Sequence, residues 1–402
     1  MLFFLHIPRT AGRTYHACFL KVGRPPSRRC EKSYDMLRLN ESAPGCGLLG
    51  SHDDFSITES LPADTAVITQ LRSPVERVLS AYEFALEVAV RGVRLPGRKP
   101  PNPRKVSTRE VWPWSLLVPW LEDDLRARAA AHPLPPGTAA PGANPYDSPE
   151  VAMPLAEFLE APLVHETLHN GAALQVLGLT NYSRWVDAAA LRRCAAADAG
   201  AAERLQALAL ERLRGLAHVG LTERLPESVA SLAASLGLRM DGPAWKAALD
   251  AFTTAENGTV VQAHGDEEYL HPLPLWRTYG QCVARARKRA VYRRESSLRA
   301  LWPGGEPRFD REARKRIAPA VLRRIRELNA MDEALHAAGA EMLEARLAQQ
   351  RARGTLEAIP VLPQADMDAI AREPNRPGAP HRGRLRQEHA RHRGPDELRR
   401  ER

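Results

Sequence analysis

The chain has 402 residues, of which 44% are hydrophobic and 26% are charged, and this composition supports one large α/β domain or two smaller ones. The formal net charge of +9 favours acidic partners such as phosphates, sulfated glycans, acidic peptides or nucleic acid. Five cysteines without a CxxC pair or a metal-ligand spacing argue against a zinc site and against a thioredoxin-like motif.

The chain opens with an apolar run at residues 2–7 (LFFLHI), which is typical of a buried strand. A turn at 8–13 leads into residues 14–22, where apolar side chains recur at helical spacing. No run approaches the ~18 consecutive apolar residues of a membrane span, and the opening residues lack the basic region of a signal peptide. Because the predicted strand starts so close to residue 1, we expect a longer precursor that carries a signal or an anchor.

A second unit of strand, loop and helix is predicted from residue 66 onward. Residues 66–71 (AVITQL) form the strand pattern. Ser73 is placed to cap the following helix, Pro74 suits the first helical position, and Glu76 completes a capping box.

Strand and helix patterns continue to alternate along the rest of the chain. Loops rich in Pro and Gly are predicted at 92–110 and 132–150, on either side of a Trp-rich stretch at 111–121. The later predicted elements are a helix at 204–216, a strand at 218–222, a helix at 228–238 and one or two amphipathic helices at 319–350. This alternation predicts an α/β fold with a mainly parallel sheet and helices on both faces.

The segment HIPRTAGRT at residues 6–14 joins the first strand to the first helix. It places small residues and hydroxyls at a helix N-terminus, where unpaired N–H groups and the helix dipole favour an oxyanion. The GxxxxGK[ST] pattern is missing, which disfavours an ATPase or a GTPase. The residues predicted to bind the anion are Arg9, with its fixed positive charge, and Thr10, Ala11, Gly12, Arg13 and Thr14.

A second phosphate-binding site is predicted in LRSPVERVLSAYE at residues 71–83. Arg72 follows the second strand, and Ser80 lies one to two turns into the next helix. A guanidinium and a hydroxyl in this arrangement can hold a second phosphate. Two phosphate-binding sites on neighbouring strand ends fit a nucleoside with phosphates at both ends, such as 3′-phosphoadenosine 5′-phosphosulfate (PAPS).

These two segments resemble the donor motifs of membrane-bound sulfotransferases, which use PAPS. HIPRTAGRT is similar to their 5′-phosphosulfate loop, and LRSPVERVLSAYE is similar to their 3′-phosphate motif, in the same order and spacing. The resemblance implies the sulfotransferase fold, a P-loop-like and mainly parallel sheet with helices on both faces. It also implies a reaction that needs no metal.

Later blocks extend the resemblance. Residues 165–179 and 212–228 are similar to blocks of the heparan sulfate 6-O-sulfotransferase group. Within that group, plant tyrosylprotein sulfotransferases have stretches similar to LFFLHIPRT, SYDMLR, HDDFS, WPW and LVPW in this chain. The resemblance is clear to about residue 240 and continues more weakly, which predicts a catalytic domain at 1–348 and a basic, disordered tail at 349–402.

Two residues of the predicted donor loop depart from the usual family pattern. Arg9 stands where most members have lysine, so the charge is kept while the point-like geometry of an ammonium is lost. Ala11 stands in place of a glycine. This replacement is tolerable only if the position does not need a positive φ.

A general base is expected for an acceptor such as tyrosine, because a phenol has a pKa near ~10. His52 lies between the two donor motifs, in a position that resembles that of the catalytic histidine of the heparan sulfate 6-O enzymes. Asp53 or Asp54 can orient its imidazole, although we expect one of them to serve only the turn. The alternative is that His52 is itself a surface turn residue.

Several other residues are open to two interpretations. Asn170 and Gln175 are either polar groups near the donor or acceptor, or buried structural groups. The Trp-rich stretch contains Trp112, Trp114 and Trp120. These tryptophans either line an acceptor cleft or pack a helix against the core.

The resemblance implies transfer of a sulfuryl group from PAPS to tyrosine in secretory-pathway peptides, in the Golgi lumen. A basic cleft would favour acidic residues around the tyrosine. The alternative is a glycan 6-O-sulfotransferase. A third hypothesis is a nucleic-acid-binding protein that uses the basic run at 285–294. No motif supports this third hypothesis, so no nucleic-acid partner is expected. Sequons at Asn40, Asn181 and Asn257 are compatible with a secretory glycoprotein.

Overall fold

A computed structural model describes residues 1–23, 29–30, 46–94, 107–132, 144–244, 271–299, 301 and 309–374. The strands are β1 Leu2–Leu5, β2 Leu48–Ser51, β3 Ala66–Leu71, β4 His218–Leu221, β5 Pro243–Ala244 and β6 His271–Pro274. The helices are α1 Gly12–Tyr15, α2 Pro74–Arg94, α3 Trp114–Ala131, α4 Leu155–Glu160, α5 Pro162–Thr167, α6 Gly171–Val176, α7 Ala188–Ala197, α8 Ala199–Arg214, α9 Leu225–Ser235, α10 Leu275–Leu298, α11 Arg311–Lys315, α12 Pro319–Leu328, α13 Ala330–Ala352 and α14 Gln364–Arg372.

The first four strands form a parallel sheet in the order β2-β1-β3-β4, which confirms the predicted parallel sheet. Along β1, Phe3 and Leu5 pack into one hydrophobic cluster, and Leu2 and Phe4 pack into another. Both faces of the sheet are therefore covered, as the unbroken apolar run of β1 requires. A separate antiparallel pair joins β5 and β6.

Most of the predicted elements are present with shifted ends. The strand at 66–71 is confirmed, and the amphipathic pattern at 319–350 is two helices, α12 and α13. The prediction of a capping box at the start of α2 is wrong, because the Ser73 N–H donates to Glu223 Oε1 (2.8 Å) and not to Glu76. Glu76 instead accepts a hydrogen bond from Arg72. Within the predicted loops, residues 95–106 and 133–143 lie outside the described part of the chain, as does the SYDMLR stretch.

The helix α10 carries the basic run and is fixed at both of its sides. A disulfide joins Cys282 of α10 to Cys18, which lies in the π-helix His16–Leu20 that follows α1. On the other side, Arg277 of α10 pairs with Asp366 of α14 (2.9 Å). Because α14 begins beyond residue 348, the chain from 349 to 374 contributes helical structure to the fold.

Among the described residues, no helix combines the length and the apolar character that a bilayer crossing needs.

Candidate active site

The register of the parallel sheet brings two histidines together at its carboxyl edge. Leu5 of β1 pairs with Ser51 of β2, so the next residues, His6 and His52, leave the sheet side by side. Their ring centroids are 4.2 Å apart. The predicted base therefore lies directly beside the strand that leads into the predicted donor loop.

The same edge unites the predicted donor residues. The Arg9 guanidinium donates to Ser80 Oγ through Nε (3.0 Å) and Nη2 (2.8 Å), and it lies 4.3 Å from the centre of the Phe84 ring. Arg72 Nη1 donates to the Arg9 carbonyl oxygen (3.2 Å). Residues that are up to 71 positions apart in sequence thus form one cluster.

The electrostatics of this cluster suit an anion. Burial, together with the positive charge of Arg72, lowers the pKa of Arg9 to about 10. Burial likewise lowers the pKa of Arg72. Two desolvated guanidinium groups side by side are stabilised by a bound anion. Ser80 Oγ accepts two hydrogen bonds and keeps its own proton to donate to such a ligand.

The donor loop has left-handed backbone at two non-glycine residues. Arg9 has φ 71° and Ala11 has φ 58°. The condition stated for Ala11 is not met, because this residue forms the turn immediately before α1 with a positive φ. Gly12 is required for a different reason, since a Cβ there would lie 1.8 Å from Cδ2 of His6.

We expect Ala11→Gly to raise the free energy of unfolding by about 1 kcal/mol, because glycine removes the cost of a left-handed alanine, which exceeds the entropy that glycine adds to the unfolded chain. Urea unfolding measures the change. The control is Ala85→Gly in the middle of α2, which should lower the same free energy. A destabilisation by both changes would show that Ala11 is not strained.

The remaining residues of the loop take different positions. The buried Thr10 donates through Oγ1 to the Ile7 carbonyl oxygen (2.8 Å), so its side chain holds the turn. Arg13 is exposed and Thr14 is half-buried, both in the single turn of α1. Of the loop side chains, Arg9 is therefore the cation that lies in the cluster with Ser80.

His52 is held in place through its backbone. Gln175 Nε2 donates to the carbonyl oxygens of His6 and His52 (3.1 Å each), which assigns Gln175 a buried positioning role. Burial lowers the pKa of His52 to about 4, while a hydrogen bond to the His6 backbone acts in the opposite direction. The imidazole is consequently neutral at physiological pH and available to accept a proton.

The two aspartates after His52 differ in their contacts. Asp54 caps the 3₁₀ helix Phe55–Ser60 and accepts hydrogen bonds from Ser56 Oγ (2.6 Å) and Thr180 Oγ1 (2.6 Å). Asp54 therefore serves the turn, and Asp53 accepts a hydrogen bond from Ser51 Oγ.

Asn170 and the tryptophans have packing roles. Asn170 Oδ1 accepts from the Met331 N–H (3.0 Å), which joins α6 to the start of α13. Trp114 packs edge-on against Phe84, with ring centroids 4.9 Å apart, and so supports the ring beneath Arg9. Trp112 is buried, and Trp120 contacts Phe158 in the core.

The sequence patterns did not predict that two further arginines, Arg314 and Arg293, lie near the site. Arg314 of α11 contacts Glu76 and Glu83 on the face of α2 that also carries Ser80. Arg293 of α10 lies near Arg13, since the two positive charges act on each other. Both arginines come from parts of the sequence with no donor motif, and only the packing of α10 and α11 brings them here.

No cluster of His, Cys, Asp or Glu in the described part of the chain has the composition to hold a metal ion.

No family model matches the sequence. A curated relative, the protein-tyrosine sulfotransferase of Arabidopsis thaliana, is 36% identical over 368 residues, which cover 84% of this chain and 73% of the relative. The chain therefore belongs to the protein-tyrosine sulfotransferase family.

Proposed function

We propose that this chain transfers a sulfuryl group from PAPS to the hydroxyl of protein tyrosine, with His52 as the general base. The observation that carries the proposal is the meeting of Arg9, Arg72 and Ser80 at the edge of the sheet where His52 also lies. The 36% identity to a protein-tyrosine sulfotransferase supports the same activity.

The donor is proposed to lie at this edge in one orientation. Arg9 and the backbone N–H groups of residues 10–14 hold the 5′-phosphosulfate, because this loop leads into the N-terminus of α1. Arg72 and Ser80 hold the 3′-phosphate. The donor supplies the sulfuryl group, and all remaining steps belong to side chains of the protein.

His52 accepts the proton of the acceptor hydroxyl as the acceptor oxygen forms its bond to sulfur. The bond between sulfur and the bridging oxygen of the 5′-phosphate breaks, and the negative charge that develops on that oxygen is stabilised by Arg9. The products are a sulfate ester, adenosine 3′,5′-bisphosphate and the proton on His52.

An acidic acceptor peptide matches the charge beside the site. Arg289 and Arg293 are exposed and lie one helical turn apart on α10, and Arg293 lies near Arg13. The positive charge of Arg13 also acts on His52. A row of arginines thus leads from the base along α10, and acidic residues next to the target tyrosine would contact this row.

The double variant Arg289→Gln, Arg293→Gln should raise KM for an acidic tyrosine peptide by about fivefold, because each exposed ion pair contributes at most about 1 kcal/mol. KM for a neutral tyrosine peptide should not change. Arg287→Gln, an exposed residue of the same helix, is the control. Equal effects on both peptides would contradict an acidic-residue contact.

The alternative acceptor is a glycan, which the similarity of residues 165–179 to the heparan sulfate 6-O-sulfotransferase group suggests. Radiolabelled PAPS offered with an acidic tyrosine peptide and desulfated heparan together separates the two. We expect label on the peptide. Label confined to heparan would overturn the tyrosine proposal. Binding of nucleic acid is less favoured, because Arg285 and Lys288 of the basic run contact α14 and the residue after it.

The cysteines suit an oxidising compartment such as the secretory pathway, and the proposal of the Golgi lumen within it rests on the family. Disulfides join Cys18 to Cys282 and Cys30 to Cys46, which leaves Cys194 as a free thiol. Such bonds persist in oxidising compartments. The sequon residue Asn181 is exposed, as glycosylation requires, and Asn40 and Asn257 lie outside the described residues.

A further inference from the structure

One face of α2 carries a series of polar residues toward α10 and α11. Glu76, Ser80, Glu83 and Glu87 follow one another at helical spacing on this face. Ser80 contacts Arg9, which belongs to the donor cluster. Glu76 and Glu83 have contacts that this cluster does not explain.

Glu76 joins two arginines through a single oxygen atom. Its Oε2 accepts from Arg72 Nη2 (3.0 Å) and from Arg314 Nη1. One carboxylate oxygen cannot match the hydrogen-bonding capacity of two guanidinium groups, each of which offers five N–H donors. Arg72 and Arg314 therefore lie close together with donors left for another anion.

The arginine of α11 is fixed by a buried carboxylate. Arg314 Nε donates to Glu83 Oε1 (2.8 Å), and the Glu83 side chain is 4% exposed. Glu83 also accepts from Arg294 (3.0 Å) and from the Tyr146 hydroxyl (2.6 Å). These contacts hold the guanidinium of Arg314 at Glu76 before any ligand binds.

A cavity of about 550 Å³ opens at this point. Four cationic and two acidic side chains line it, so its charge favours an anion. The lining residues are Glu76, Arg294, Asp310, Arg311, Arg314 and Lys315.

We propose that Arg314 is a further donor-binding residue, which holds the 3′-phosphate of the donor together with Arg72, and that Glu76 keeps the two arginines together in the ligand-free protein. The inference rests on the proposed function. A phosphate dianion can accept from both guanidinium groups at once, whereas Glu76 brings one charge through one oxygen. The sequence separation of 238 between Glu76 and Arg314 explains why no local motif indicates this contact.

Calorimetry with two nucleotides isolates the contact. Adenosine 3′,5′-bisphosphate has the 3′-phosphate, and adenosine 5′-monophosphate lacks it. Arg314→Gln should weaken binding of the bisphosphate by ~10–100-fold, as expected for a lost charged hydrogen bond, and should leave binding of the monophosphate within about twofold. An equal change for both nucleotides, or none for either, would overturn the inference.

Arg294→Gln is the matched control, because Arg294 contacts the same Glu83 and lines the same cavity but has no contact with Glu76 among the hydrogen bonds of the described residues. It should keep the wild-type ratio of the two affinities. A fall in the ratio equal to that of Arg314→Gln would contradict a specific contact.

Should Arg314→Gln not fold, Arg314→Lys retains the charge beside Glu83 and should still lower the affinity for the bisphosphate selectively, because the bidentate geometry is lost. A wild-type affinity ratio in this variant would refute the inference. A wild-type protein that binds neither nucleotide would refute the donor assignment as well, whereas normal binding with an unchanged ratio in the Arg314 variants would refute this inference alone.

Discussion

His52→Ala is expected to lower turnover by about 10²–10⁴-fold, the contribution of a general base, while its affinity for adenosine 3′,5′-bisphosphate stays at the wild-type value. The separation follows from geometry. His52 leaves the sheet at β2, whereas the donor cluster of Arg9, Arg72 and Ser80 belongs to the loops after β1 and β3 and to α2. Turnover under saturating PAPS and calorimetry with the bisphosphate measure the two effects.

The control is His165→Ala, which removes an exposed imidazole from α5. It should change neither quantity. If His52→Ala keeps wild-type turnover, His52 is a turn residue and the base must be sought at Asp53. If donor binding, thermal stability and turnover fall together, His52 has a structural role.

The pH dependence of the wild type should follow the same residue. Burial lowers the pKa of His52 to about 4, so the imidazole loses its ability to accept a proton only as the pH falls through about 4. The rate should therefore hold down to about pH 5, rather than decline near the ordinary histidine value of ~6.5. A rate profile with its midpoint near 6.5 would contradict the buried environment of His52.

Acid also affects the folded state, and this effect must be measured separately. Burial lowers the pKa values of His16 and His218 to about 3, below the value in an unfolded chain. The unfolded state then binds more protons than the folded state, so stability falls as the pH drops below ~6.5. Binding of the bisphosphate at each pH identifies the range in which the protein is still folded.

Arg72→Ala should weaken binding of adenosine 3′,5′-bisphosphate by about 1.5–3 kcal/mol, because it removes a charged contact to the 3′-phosphate. This loss corresponds to ~10–150-fold in the dissociation constant. Ser80→Ala should weaken binding in the same direction and by less, since it removes a neutral hydroxyl. Calorimetry on the folded variants is the measurement.

Arg126→Ala removes an equal charge from α3, where Arg126 pairs with Asp123 on the surface. It should bind the nucleotide normally, which separates a local contact from an effect of net charge. Unchanged binding in both Arg72→Ala and Ser80→Ala would remove the basis for the donor assignment.

The sheet and the donor loops could be predicted because their signals are local. Each apolar strand is followed at once by its functional loop, so β1 led to residues 6–14 and β3 led to Arg72. Parallel strands then place these loops at one edge, which is why Arg9 and Arg72 could be assigned to one site. His52 was assigned to the same site by its position between the two donor motifs and by resemblance, because the short strand before it was not predicted.

The contacts that could not be predicted are those between distant segments. Ser73 was expected to pair with Glu76 three positions away in the capping pattern, but Glu223, 150 residues further along, accepts the hydrogen bond. Arg314 reaches Glu76 in the same way. The left-handed backbone of Ala11 is likewise imposed by the loop as a whole, against the preference of alanine.

The most direct test of the account offers the protein PAPS and a peptide with one tyrosine among acidic residues. We expect one sulfotyrosine and one adenosine 3′,5′-bisphosphate for each transfer, and neither product when phenylalanine replaces the tyrosine. Release of the bisphosphate without sulfotyrosine, or sulfation of a sugar hydroxyl in place of the peptide, would contradict the proposed function.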